Sequence, residues 1–87
     1  MNYDGMMEPE KSRVYLSNPQ DWKYSIVPLK NENTGVLGVA FDGEYYDMKK
    51  GLRIAEEVNM FFLPSDLLEI SRETTPAQIV AEGWRVD

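Results

Sequence analysis

The chain has 87 residues, 43% of them hydrophobic and 28% charged, a composition that suits one small domain and argues against disorder throughout. Fifteen acids against nine bases leave a net charge of −6, the wrong sign for neutralising phosphates, so direct binding to nucleic acid is not expected. There is no Cys and no His, which excludes disulfides, zinc sites built on those residues, and every Ser–His or Cys–His nucleophile pair.

Residues 1–10 carry three acids and no base, the reverse of a secretory signal's basic start, and residues 1–11 read as a flexible lead-in to one domain over 12–87. No apolar run exceeds the six residues 36–41, far short of a membrane span, so a cytoplasmic protein is expected. Over residues 12–17, Val14 and Leu16 alternate with polar neighbours and predict a strand. Asn18, Pro19 and Asp21 mark a turn, and residues 22–29 read as a second strand, with Pro28 pointing to an edge or a strand end.

Residues 36–41 form a short apolar run, followed by Asp42-Gly43 and then the β-rich residues 44–48. An Asp-Gly pair between two such runs predicts a two-residue type I′ hairpin. Gly38, inside the first run, predicts a bulge or the close approach of another backbone. The period then changes. Met48, Gly51, Leu52, Ile54, Ala55, Val58, Phe61 and Phe62 fall on one half of a helical wheel and Lys49, Lys50, Arg53, Glu56 and Glu57 on the other, predicting an amphipathic helix over about 49–60. Residues 66–71 fit a helical turn or a strand equally well. Thr75, Pro76 and Gln78 form a capping box that opens a short helix over about 76–82, stopped by Gly83, and Trp84 to Val86 alternate as a terminal strand. The expected fold is α+β: an antiparallel meander of three to four strands with both helices packed on one face.

Without His or Cys, catalysis would fall to carboxylates. Asp42, Glu44 and Asp47 are the densest group, but the turn and the solvent side of a strand account for them, so no enzymatic activity, metal or cofactor is expected. Charge is uneven along the chain. Residues 54–87 hold Glu56, Glu57, Asp66, Glu69, Glu73, Glu82 and Asp87 against Arg72 and Arg85, a net of −5. Exposed Tyr and Trp beside charges are typical interface anchors, and Tyr45 and Tyr46, adjacent on a strand, point to opposite faces. These features predict a non-enzymatic protein-binding module, an inhibitor or adaptor of the kind phages and mobile elements encode as accessory proteins, that meets a basic partner through Tyr45, Glu69, Glu73, Glu82 and Trp84. The rival reading is a small-ligand or nucleotide-sensing domain. There Lys49, Lys50 and Arg53, crowded at a helix start against the helix dipole, would hold an anion.

Overall fold

The computed structural model describes residues 6–43 and 51–87. Five antiparallel strands form one sheet: β1 (Ile26–Asn31), β2 (Leu37–Asp42), β3 (Leu52–Glu56), β4 (Arg72–Thr74) and β5 (Trp84–Val86), in the order β4-β3-β2-β1-β5. Among the described residues, three α-helices accompany them: α1 (Pro9–Leu16), α2 (Leu67–Ile70) and α3 (Pro76–Ala81). The α+β class is as expected. The strand count and the helices differ in ways that have physical reasons.

The sheet is buried on both faces. On the first, Val27, Leu29, Ala40, Ile54, Trp84 and Val86 pack with Leu16 of α1 and Ile79 of α3. On the second, Ile26, Val39, Phe41 and Ala55 are covered by Val58 and Leu67, with Met60 and Leu68 against them. Double burial explains why the helix expected over 49–60 is instead β3. In a strand covered on both sides, successive residues are apolar, and Ile54 and Ala55, both fully buried, then imitate a helical face.

Residues 12–17 are the converse correction. They belong to α1, which begins at Pro9 in the first turn, with Glu10 also in that turn. Ser12 and Leu16, four apart, are its buried positions, whereas Val14 is half exposed. Helical spacing governs this segment, not the alternation of Val14 with Leu16. Pro19 opens a 3-10 turn, Pro19–Asp21, that ends the helical path, and Trp22 returns to α1 by donating its indole N–H to Tyr15 O at 2.8 Å. The second strand therefore starts at Ile26 rather than at Trp22, and it lies inside the sheet despite Pro28.

The Asp42-Gly43 hairpin is also corrected. The strand paired with β2 on that side is β3, in a register that sets Asp42 opposite Leu52. Gly43 donates its N–H to Gly51 O at 2.9 Å, so the connection runs over residues 43–51 rather than two residues. The described glycines with positive φ are Gly35, Gly51 and Gly83. Residues 44–48, including Tyr45 and Tyr46, lie outside the described residues.

Several local signals read correctly. Thr75 caps α3 by accepting from the Gln78 N–H at 3.1 Å, and residues 66–71 resolve into α2 followed by the approach to β4. Gly83 ends α3 at φ +97°, where an added Cβ would lie 2.5 Å from Asn33 Nδ2. At Gly38 the close approach is real: a Cβ there would meet Ala55 O at 2.9 Å and the Trp84 ring at 3.1 Å. The register runs through Gly38 without a bulge, so the missing side chain is what lets the indole lie across the sheet.

The edge strand β5 is sealed from outside. Met7 N–H donates to Val86 O at 2.8 Å, and Val86 N–H donates to the Ser12 hydroxyl at 3.0 Å. Behind the same strand, Arg85 donates to Glu32 Oε1 at 2.7 Å and to the carbonyls of Val80 and Trp84. This ion pair is nearly dry, with side-chain exposures of 7% and 11%.

Two stability outcomes follow from these contacts. Gly38→Ala should lower unfolding free energy by about 1–3 kcal/mol through overpacking, read as a drop in urea midpoint at unchanged m. Arg85→Ala strands a buried carboxylate and should lose about 3–5 kcal/mol, whereas the apolar double variant E32L/R85M should recover a large part of it. Equal losses in the single and double variants would contradict the buried-pair account.

Candidate interaction surface

The segment after β3 has to cover the second face of the sheet without help from a long helix. It turns out of the strand at Glu57, whose φ of 58° lies in the left-handed region, a conformation that costs a side-chain-bearing residue roughly 1–2 kcal/mol. Val58 N–H then reaches Leu37 O at 3.3 Å, and its side chain drops into the core. Asn59 makes the next bend. Its Oδ1 accepts from Phe61 N–H at 2.9 Å and its carbonyl accepts from Phe62 N–H at 3.0 Å, the local pattern that suits Asn to turns.

Met60, Leu67 and Leu68 face the sheet. Phe61 and Phe62 do not: they are 80% and 82% exposed, and Leu63 and Ile70 are 40% and 48% exposed. Two rings displayed to this degree leave on the order of 300 Å² of apolar surface in water, the size of the largest patch on an ordinary monomer. Leaving a Phe outside forgoes about 1.5–3 kcal/mol of burial. On the helix expected over about 49–60, both rings fall on the apolar side. The available signal was Phe61-Phe62-Leu63 running straight into Pro64: neither period buries three consecutive large residues in a loop that Pro is about to break.

Acids border this patch. Leu63, Asp66 and Glu69 line one cavity of about 410 Å³ beside it, and both carboxylates are exposed and carry no ion pair among the described residues. The other expected contact residues divide. Glu73 is open, with a loose 3.7 Å contact to Arg53. Glu82 is engaged: Gln78 Nε2 and Arg72 each donate to it at 3.0 Å. Arg72 also pairs with Glu56. Trp84 is 2% exposed and belongs to the core, so its expected role as an anchor is withdrawn. It abuts Gly38 from the first face, where Leu16 of α1 and Ile79 of α3 pack in the same cluster.

The anion site loses its best member. Arg53 is mostly buried, donating to Ser71 Oγ at 2.7 Å and Ser71 O at 3.1 Å, and it sits mid-strand rather than at a helix start. Lys49 and Lys50 lie outside the described residues. Among the described residues there is no group of three acids positioned to hold a metal ion, and no helix is long and apolar enough to cross a membrane.

Glu82 supplies a pH test. Donation by Gln78, and then by Arg72, holds its carboxyl below the ordinary carboxylate range against partial desolvation. A depressed folded-state value gives stability that is present above the unfolded value and lost as pH falls through the folded one. Wild type should therefore exceed Glu82→Gln by no more than about 1 kcal/mol at neutral pH, with the gap closing as the carboxylate is protonated. A gap that persists in acid, followed by urea midpoints across pH, would contradict this assignment.

No protein-family model, curated protein or solved structure matches the chain.

Proposed function

We propose that this protein is a small acidic, non-enzymatic binding module, acting as an inhibitor or adaptor in the cytoplasm, that docks on a partner protein offering an apolar pocket with a basic rim. The observation that carries the reading is the pair Phe61 and Phe62, the two most exposed of the large hydrophobic residues described. Aromatic side chains held on a hydrogen-bonded loop lose little further freedom on binding and fill pockets well, which is why they dominate interface energetics.

Charge supports the choice of partner. Of the cations in residues 54–87, Arg72 is held by Glu56 and Glu82, and Arg85 is buried with Glu32. Asp66, Glu69 and Glu57 are left facing water without a counter-ion among the described residues. A basic rim would therefore be steered onto the Phe pair, and a like-charged surface, a second copy of this chain included, would be turned away.

The test uses the whole chain as bait in selection from a random peptide display library. Enriched sequences should combine aromatic or aliphatic residues with Lys or Arg. The double variant F61S/F62S should lose that enrichment while melting within a few degrees of wild type. Binding of the selected peptides should weaken at least about tenfold, a loss of about 1.4 kcal/mol, and should weaken further as salt rises. Enrichment that survives F61S/F62S, or that favours acidic sequences, would overturn the proposal.

A further inference from the structure

Beside the Phe pair, two cavities of about 380 and 210 Å³ share Pro28, Met60 and Asp87. Together they make a groove that runs from the second face round the edge of β1, where Met7, Tyr15, Val27 and Val86 of the first cluster also line the smaller cavity. Phe61, Asn59 and Leu37 stand at one end, and Tyr24 and Lys23 at the other. Its walls are chiefly apolar, and its central charge is the Asp87 carboxylate. That position follows from the strand: Trp84 and Val86 point to the first face, so Asp87, one residue on, points to the second. Its backbone is fixed by donation from its own N–H to Pro28 O at 2.9 Å. Asp87 is exposed and has no ion pair among the described residues, so its charge is open to a cation from outside the chain.

We infer that this groove receives an extended basic segment of the partner, with one Lys or Arg side chain laid along Met60 and Pro28 and its cationic head on Asp87. This rests on the docking reading above and deepens it. A long basic side chain suits the groove because its methylene stem covers apolar surface while its head stays polar. The next apolar side chain of the segment then meets Leu37 and Phe61. At the far end Lys23 lies 5.6 Å from the centre of the Tyr24 ring, and its charge disfavours a second cation there. The groove therefore selects a polarity as well as a charge: apolar toward Phe61, basic at Asp87, and neutral or acidic toward Lys23.

The probe is a set of short capped peptides carrying a single Lys next to Leu, in both chain directions, titrated into the isotope-labelled full chain. Amide shifts should appear at Gly38, Met60 and Asp87. Replacing the peptide Lys by norleucine should weaken binding at least about tenfold, and Asp87→Asn should do the same without lowering the melting temperature. The two changes together should cost little more than either alone, the mark of a direct pair. Norleucine peptides that bind as well as Lys peptides would overturn the inference, as would indifference to Asp87→Asn or the absence of any shift at millimolar peptide. If shifts appear at Phe61 and Phe62 but not at Asp87, the groove assignment fails while the loop reading stands. If F61S/F62S also changes nothing, both fail.

Discussion

Everything in this molecule follows from a sheet that must be covered twice. The strands β1, β2 and β3 send apolar residues to both faces of the sheet, and a chain of 87 residues has little left over with which to cover them. The first face takes the two longer helices and the indole of Trp84. The second receives the irregular run after β3, in which Val58 and Met60 are thrown inward by successive bends, and then Leu67 and Leu68 of the short helix α2. Irregular backbone has to find hydrogen bonds one at a time, and the bends at Glu57 and Asn59 that supply them also turn Phe61 and Phe62 outward. Coverage of the core and display of the rings are thus two results of the same few dihedral angles.

Charge is partitioned by the same economy. Arg53, Arg72 and Arg85 are each drawn into contacts within the fold: with Ser71, with Glu56 and Glu82, and with Glu32. Carboxylates outnumber them, so what reaches the surface in that half is largely acid. Composition alone gives the size of the imbalance. It is the internal pairing of the guanidinium groups that makes the imbalance visible to a neighbour.

How much of this was legible depended on whether the signal was local. Thr75, Pro76, Gln78 and Gly83 define α3 through contacts within a few residues, and they read correctly. Gly38 announced a close approach, though nothing nearby in the chain named Trp84 as its occupant. β3 and α1 were exchanged in kind, because Ile54-Ala55 and Val14-x-Leu16 are each short enough to satisfy the wrong period: cover on the second face decides β3, and packing of Ser12 and Leu16 against the first face decides α1. At the candidate surface, Glu69 was legible as an exposed acid. Glu82 and Trp84 were not separable from it, since their engagement depends on Arg72 and Gly38. The Phe pair was legible in hindsight from its run into Pro64 but was absorbed by a helix that is not there.

The closure at β5 bears on how the chain reaches this state. Val86 N–H and the Ser12 hydroxyl are 74 residues apart, and Arg85 and Glu32 are separated by 53. β1 can complete its hydrogen bonding on that side only when β5 arrives, so a nascent chain holding β1, β2 and β3 still presents an open strand edge to any passing neighbour. Contacts of such long range also carry a large loop-closure entropy before they return anything, which places slow, late pairing at this edge. The interval before β5 docks is therefore the one in which two nascent chains could exchange strands, and the Ser12 hydroxyl is the latch that ends it.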